Sequence, residues 1–273
     1  MKTGYWVIRT YKAGPVGEKI KYYVPGEKPT RSERRMKTEI KKQEHNEGNA
    51  RRRLARVIRA NFSERDSLVT LSYEESAVKG LGEGLDEDGL YHAAHHQLRL
   101  WLRRVRRTCA AAGVELRYIA VTSDLDGDTG ELVRVHHHVI MNAEAAELCA
   151  AKWKHGRTHR ENLMREEEDP TRKYLAAYLL EQARRLEEDK KYIPSRNLVI
   201  PQPKDRTAVS AAELSVPRGG ELLYRSAYIP GQPQYLCYIL PEAAERARAW
   251  ERGSARIRVK YWEEATEHPG AGA

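Results

Sequence analysis

The sequence is poor in cysteine and phenylalanine and has no long apolar run. Its three cysteines, Cys109, Cys149 and Cys237, are odd in number and lack paired spacing, which favours reduced thiols over a disulfide framework. No apolar stretch approaches the roughly 18 residues that a membrane-spanning helix needs. The basic residues at 1–3 are not followed by the apolar segment of a secretion signal. We therefore expect a cytoplasmic protein with no membrane partner.

The scarcity of phenylalanine contrasts with the other aromatic residues. One phenylalanine stands beside fifteen tyrosines and five tryptophans, whose rings carry a polar group and suit surfaces better than a dry core. Such rings can stack on nucleobases. The C-terminal tyrosines that either stack in this way or simply pack are Tyr224, Tyr228, Tyr235 and Tyr238.

Positive charge is concentrated in two segments. The 273 residues hold 48 Lys and Arg and 39 Asp and Glu, a formal net charge of +9. Between Arg31 and Phe62, eleven Lys and Arg stand against four Glu, a local net charge of +7, and five arginines follow within 99–107. Basic residues that neutralise phosphates release counterions, so both segments predict binding to a nucleic-acid backbone. The alternative is two solvated helix faces. The predicted DNA-binding residues are Arg51, Arg52, Arg53, Arg103, Arg104 and Arg107.

The chain is expected to have three parts. Residues 1–62 form a basic arm and helix, with a loop rich in glycine and proline at 13–30. Residues 63–201 form a central domain, and residues 202–273 form an extension with one strand and one helix. The hydrophobic patterns predict strands at 5–9, 67–73, 116–122, 132–142 and 234–240, and helices at 31–60, 88–111, 143–152, 170–188 and 241–252. No glycine-rich phosphate loop is present, which argues against a doubly wound nucleotide-binding fold.

A candidate metal site lies on the strand predicted at 132–142. Side chains of a strand alternate between its two faces. His136 and His138 therefore share one face, while His137 lies in the apolar row of the other. Two residues along a strand span about 7 Å at the backbone, close enough for two imidazoles to hold one cation. The His-x-His pair predicts half of a metal site.

A carboxylate at the end of the preceding strand is a candidate third ligand. Asp124 follows the strand predicted at 116–122 and lies by parity with Thr122, opposite Val121. Aspartates in turns are more often turn formers than ligands, so the alternative is a structural role. The turn that follows supplies the rival carboxylates Asp126, Asp128 and Glu131.

Two tyrosines lie one turn apart on the helix predicted at 170–188. Tyr174 and Tyr178 are four residues apart and therefore project from the same face. Leu175 and Leu179 form an apolar stripe beside them, which predicts a buried face. The two rings are either packing residues at the edge of that face or nucleophiles near a metal site.

Together these features resemble the HUH endonucleases, and among them the rolling-circle replication initiators (Rep proteins). Three motifs stand in that family's order: the apolar strand 68–73, the His-U-His strand 135–141 and the tyrosine helix 174–181. The resemblance covers about residues 5–201. Matches to one subgroup are Asn61-Phe62, Trp153 with Gly156, and Ser195 to Leu198 with Pro201.

Two positions depart from the family pattern. His137 occupies the U position, which is usually hydrophobic in the family. Glu181 follows Tyr178 by three residues, where family members often have lysine. The second departure bears on which tyrosine acts and on how the charge of the leaving group is stabilised.

The resemblance implies a fold and a reaction. The expected fold is α+β, a central antiparallel sheet of about five strands with helices on one side, of the RRM or ferredoxin-like type. A divalent metal, Mg²⁺ or Mn²⁺, is expected on His136, His138 and Asp124. Tyr178 is expected to attack the scissile phosphate, with Tyr174 as the alternative or as a second nucleophile. The products are a 5′-phosphotyrosine and a free 3′ hydroxyl, from which rolling-circle DNA replication starts.

The resemblance also implies partners. The expected substrate is a single-stranded or hairpin origin of a plasmid, phage or other mobile element, with host helicase and polymerase as further partners. The implied location is the cytoplasm of a bacterial cell, or of the host of the phage or plasmid. Two alternatives remain: a relaxase or HUH transposase with the same chemistry, and, in another class, a non-catalytic nucleic-acid-binding protein.

Overall fold

The computed structural model describes residues 3–26, 39–126, 129–149, 152–163, 168–183, 191–208 and 213–245. The chain divides into two compact units. The central unit consists of Met1–Lys2, Tyr11–Val16 and Glu27–Pro203, and the second unit consists of Thr3–Thr10, Gly17–Gly26 and Lys204–Ala273. In chain order the elements are β1 (Tyr5–Ala13), β2 (Val16–Val24), α1 (Glu39–Asn61), β3 (Ser67–Ser72), α2 (Glu75–Gly82), α3 (Glu87–Ala111), β4 (Tyr118–Leu125), β5 (Leu132–Met141), α4 (Ala143–Cys149), β6 (Thr158–Asn162), α5 (Lys173–Gln182), β7 (Ile193–Pro194), β8 (Lys204–Ala208), β9 (Glu221–Arg225) and β10 (Gln234–Ile239).

The central unit contains a five-stranded antiparallel sheet in the order β6-β3-β5-β4-β7. Strand β5 lies in the middle, so its side chains are held in register from both sides. His138, for example, lies directly between Thr70 of β3 and Val121 of β4. This register decides which polar side chains meet on each face of the sheet.

Helices α2, α3 and α4 cover one face of this sheet. Leu98, Trp101 and Val105 recur along α3 at spacings of three and four, which places them on one side of the helix. They are buried in one cluster with Val139 and Met141 of β5. This face therefore holds the larger apolar core.

Helices α1 and α5 cover the opposite face. Leu54 and Ile58 of α1 and Leu179 of α5 pack in a second cluster with Ile119 and Ile140 of the sheet. The α+β class and the five-stranded antiparallel sheet are confirmed, but helices lie on both faces, whereas the resemblance implies one side. The central strands are apolar on both faces, and each apolar face must be buried against another element.

The second sheet, in the order β8-β1-β2-β10-β9, joins the two ends of the described chain. β1 pairs with β8 from Trp6 opposite Ala208 to Thr10 opposite Lys204. The division therefore differs from the predicted one, in which residues 1–62 form an arm. The predicted loop at 13–30 contains β2, because Gly14, with φ +54°, and the following proline make a tight hairpin turn.

Most other predicted elements are confirmed within a few residues. The predicted strands at 67–73, 116–122, 132–142 and 234–240 are β3, β4, β5 and β10, and the predicted helices at 88–111, 143–152 and 170–188 are α3, α4 and α5. Residues 31–38 of the first predicted helix and 246–252 of the last lie outside the described residues. The prediction omitted α2, β6, β7, β8 and β9. Within the described ranges, no helix has the length and apolarity required to cross a membrane.

Candidate active site

Two histidines meet on the sheet face that α1 and α5 cover. The Nε2 atoms of His136 and His138 lie 3.0 Å apart. Each ring is held from behind: His136 Nδ1 lies 3.0 Å from the carbonyl oxygen of Arg134, and His138 Nδ1 lies 3.2 Å from the hydroxyl of Thr70. A carbonyl can only accept a hydrogen bond, so the Nδ1 atom of His136 carries its proton and its Nε2 atom has a free lone pair.

The geometry of this pair fits a divalent cation. Two ligand atoms at about 2.1 Å in adjacent octahedral positions are about 3.0 Å apart, which is the observed separation of the two Nε2 atoms. Nδ1 hydrogen bonds of this kind are also what fixes a metal-binding imidazole in proteins. Burial, and secondarily repulsion from His136, lowers the pKa of His138 to about 3, so its imidazole stays neutral, the form that binds a metal.

Tyr178 lies next to the histidine pair. Its hydroxyl is 3.0 Å from His138 Nε2, and its ring is half-buried against that imidazole. The position follows from α5, whose Leu175 and Leu179 are buried against the sheet. The carboxylate of Asp169 accepts hydrogen bonds from the backbone N–H groups of Lys173 and Leu175, which fixes the first turn of the helix.

Tyr174 lies one turn earlier and is 73% exposed. Both tyrosines line an open groove of about 780 Å³. The remaining residues of this groove include three glutamates: Glu64, Glu161 and Glu168. The structure therefore places Tyr178 at the histidines and Tyr174 at an accessible position in an acidic groove.

Gln182 is a buried polar residue near the pair that the sequence prediction missed. It lies four residues after Tyr178 and is 3% exposed. The Ser123 hydroxyl donates to its side-chain oxygen at 2.8 Å, and Ser123 lies directly across β4–β5 from His136. Gln182 thus brings an oxygen donor to the face of the histidines. Its four-residue spacing from Tyr178, in an otherwise apolar helix, is the sequence signal that identifies it.

Asp124 lies on the other side of the sheet. Thr122 pairs with His137 and Ser123 pairs with His136, so Asp124, the next residue in the alternation, belongs to the face of His137. It lines a pocket with Glu87 and Tyr91 of α3. The structure does not bring Asp124 to His136 and His138.

The rival carboxylates do not replace it. Asp126 caps the β4–β5 turn by accepting hydrogen bonds from the backbone N–H and hydroxyl of Thr129, and Asp128 lies outside the described residues. Among the described residues, no group of three or more His, Cys, Asp or Glu side chains is arranged to hold a metal. A third ligand other than water must therefore be another donor type, such as an amide oxygen.

The predicted DNA-binding arginines fall into two separate groups. Arg51, Arg52 and Arg53 lie on α1, the helix beside α5, and Arg51 pairs with Glu181 at 3.0 Å. The arginines on α3, which packs on the opposite face of the sheet, are Arg103, Arg104 and Arg107. The second group is therefore separated from the histidine pair by the sheet itself.

Two arginines near the histidines were not predicted as DNA-binding. Arg134 lies in the same row of β5 as His136 and is exposed. Arg157 is also exposed, and its carbonyl accepts a hydrogen bond from the backbone N–H of Ser72, which pairs with His136. These two cations flank the open end of the histidine face.

His137 is buried in the core on the other face, as the strand alternation predicts. Its ring nitrogens lie 3.0 Å from the Tyr73 hydroxyl and 3.1 Å from the Thr122 hydroxyl. Burial above all, and repulsion from neighbouring histidines, holds the pKa of His137 well below its usual range. A polar residue is tolerated at this hydrophobic position because both of its nitrogens are satisfied.

Comparison with known proteins gives one match. A family model described as a replication-associated protein of the ORF2 type matches residues 66–183. No curated protein and no solved structure matches the chain. The matched segment begins just before β3 and ends just after α5, so it contains the histidine pair, Tyr174, Tyr178 and Gln182.

Proposed function

We propose that this chain, whose residues 66–183 match the ORF2-type family of replication-associated proteins, is a metal-dependent nickase that cuts one strand of an origin and so starts rolling-circle replication. The family match supports a role in initiating replication and confirms the resemblance to rolling-circle initiators. One observation supports the finer proposal: the Tyr178 hydroxyl lies 3.0 Å from His138 Nε2, which lies 3.0 Å from His136 Nε2.

The two histidines would hold the cation, Mg²⁺ or Mn²⁺. Imidazole nitrogens suit Mn²⁺ at least as well as Mg²⁺, which prefers oxygen ligands. The side-chain oxygen of Gln182, on the same face, is the candidate third donor. When bound, such an ion polarises a phosphoryl oxygen and neutralises charge that develops there.

Tyr178 would be the nucleophile. Its oxygen attacks the phosphorus, a bond from tyrosine oxygen to phosphorus forms, and the bond from phosphorus to the 3′ oxygen breaks. The tyrosine proton leaves the hydroxyl, and the departing 3′ oxygen ends as a hydroxyl. The phosphotyrosine keeps the energy of the broken phosphodiester, so the strand can later be rejoined without a nucleotide cofactor.

Tyr174 is the second candidate nucleophile. It lies one turn from Tyr178 on the same groove and is accessible. A scheme in which the two tyrosines alternate requires both hydroxyls to reach the same phosphate. The 3.0 Å contact with His138 belongs to Tyr178 alone among the two in the described contacts, so Tyr178 is the first nucleophile in this proposal.

The cut strand would cross the open end of the histidine face. Arg134 and Arg157 flank that end, whereas the groove on the tyrosine side carries three glutamates. Phosphates are attracted to the first region and repelled by the second. A single strand, or a strand extruded from a hairpin, can follow such a path, because its backbone is accessible from one side.

Strand cleavage tests the proposal. Overlapping single-stranded oligonucleotides that cover the replicon encoding the chain are incubated with the protein and Mn²⁺, and products are resolved under denaturing conditions. We expect cleavage by the wild type and by Tyr5→Phe, a control at an exposed tyrosine of the second unit. Tyr178→Phe and His138→Ala should lose cleavage by more than about a hundredfold. Equal cleavage by Tyr178→Phe and wild type contradicts the proposed nucleophile.

The same experiment addresses the alternatives. A protein that retains the oligonucleotides but cuts none of them in Mn²⁺ or Mg²⁺ is a non-catalytic binding protein. A relaxase or HUH transposase shares the chemistry, and differs in the DNA it selects: a transfer origin or an element end in place of a replication origin.

A further inference from the structure

Four arginines form an exposed row on α3, on the side of the sheet opposite the histidine pair. The buried side of α3 packs into the core through residues such as Leu98 and Trp101, so its other side faces solvent. From residue 89 to residue 111 the helix contains no acidic residue. The members of this row, here called the α3 arginine face, are Arg99, Arg103, Arg106 and Arg107, all exposed.

The row is regular and long. Arg99, Arg103 and Arg107 follow one another at four-residue steps, so they lie on nearly the same side and span about 12 Å along the helix axis. Duplex DNA presents one phosphate charge per about 1.7 Å of its axis, or about seven over that length. The row therefore matches a dense, extended array of phosphates.

Helix stability does not account for these charges. Cations in the last turn of a helix gain from its dipole, but none of these arginines lies in the last turn of α3. In the part of the chain that the structure describes, no carboxylate forms an ion pair with Arg103 or Arg107. The positive charge of these two side chains is thus directed to solvent.

A recess continues the row at one end. A pocket of about 400 Å³ is lined by Arg106, Arg196, Tyr118 and Asn197, among others. Arg106 donates to the Tyr118 hydroxyl at 3.4 Å, and Arg196 is exposed on the other wall. Two guanidinium groups therefore flank one opening, as a phosphate would require.

We propose that the α3 arginine face, together with Arg196, binds the phosphate backbone of duplex DNA beside the strand that is cut. The nature of the partner rests on the proposed function. The exposed arginines present no aromatic ring for stacking, which a single strand would use, and a straight helix of 25 residues offers a rigid line of backbone contacts. The chain thus contacts DNA on two faces: the cut strand at the histidines and the duplex at α3.

The test is the salt dependence of duplex binding by the full chain. A fluorescent duplex without a cleavage site is titrated in chelator, and its anisotropy gives the affinity at several salt concentrations. Each lost phosphate contact lowers the slope of log K against log salt by about 0.9. We expect a reduction of about 2.7 in the triple variant Arg99→Gln, Arg103→Gln, Arg107→Gln, and of about 1.8 in the pair Arg106→Gln, Arg196→Gln.

A matched variant removes the same charge elsewhere. Lys204, Arg206 and Arg218 are exposed in the second unit, and changing all three to glutamine should leave the slope within about 0.9 of the wild type. An unchanged slope in both α3 variants, or an equal reduction in the matched variant, overturns the proposal. So does a change of oligomeric state in the α3 variants without loss of duplex binding, since the face would then bind a second copy.

The outcome is separable from that of the proposed function. Duplex binding is measured without metal and without cleavage, so its failure leaves the nicking reaction untouched. Loss of nicking in Tyr178→Phe likewise leaves the slope of duplex binding untouched. Circular dichroism of the α3 variants confirms that the substituted helix is folded.

Discussion

His136 and His138 meet through their Nε2 atoms at 3.0 Å, although two residues of an extended strand separate their backbones by about 7 Å. The convergence of the two rings depends on the hydrogen bonds from behind, to Arg134 and Thr70. It creates a site for one cation where the strand alone gives only two parallel side chains.

The first prediction concerns the metal. His136→Ala and His138→Ala each remove one of two nitrogen ligands, so Mn²⁺ affinity measured by calorimetry should fall by more than about tenfold in each variant. His159→Ala is the matched control, because His159 is exposed on β6. If Mn²⁺ binds with the same affinity to all three variants and the wild type, the cation is held elsewhere.

The second prediction concerns Gln182. Gln182→Leu keeps the size of the side chain but removes its oxygen, so Mn²⁺ affinity should fall about tenfold, whereas Gln182→Glu should keep or raise it. The Ser123 hydroxyl loses its acceptor only in the leucine variant. A loss of thermal stability in Gln182→Leu with unchanged Mn²⁺ affinity would show a purely structural role.

The third prediction concerns acid stability without metal. His137 has a pKa well below the usual range in the folded protein, so the unfolded chain binds more protons at acidic pH. The free energy of unfolding therefore falls as pH drops below about 6.5. At pH 5 the imidazole contributes about 2 kcal/mol of this loss.

His137→Leu tests it, since leucine fits an apolar core and does not titrate. Denaturant unfolding in chelator should show a smaller loss of stability between pH 7 and pH 5 in this variant than in the wild type. Equal losses in the two proteins would contradict the assignment to His137.

The fourth prediction concerns Glu181, which stands where the related initiators often have lysine. Its ion pair with Arg51 is exposed, so breaking it costs less than about 1 kcal/mol. Glu181→Lys changes the local charge by two and frees Arg51. Affinity for single-stranded DNA should rise, with an intermediate rise for Glu181→Gln. An unchanged affinity would place Arg51 off the DNA path.

The sequence predicts face relationships within an element well. The alternation along β5 correctly separated His137 from His136 and His138, and the four-residue spacing correctly put Tyr174 and Tyr178 on one side of α5. Both follow from the fixed periods of strand and helix.

Relationships between elements were harder to predict. Asp124 was expected near the histidines, but the register of β4 against β5 puts it on the other face. The pairing of β1 with β8 joins the N-terminal strand to one far along the chain, and no local pattern in the N-terminal segment indicates its partner. Long-range register depends on the packing of the whole sheet.

The measurement that tests the central claim most directly is mapping of the covalent DNA adduct. The protein is incubated with cleavable single-stranded DNA and Mn²⁺, the DNA is digested, and the peptides are analysed by mass spectrometry. We expect a nucleotide phosphate on the Tyr178 side chain, and none in Tyr178→Phe unless Tyr174 acts as second nucleophile. Cleavage that leaves neither tyrosine of α5 modified would contradict the account.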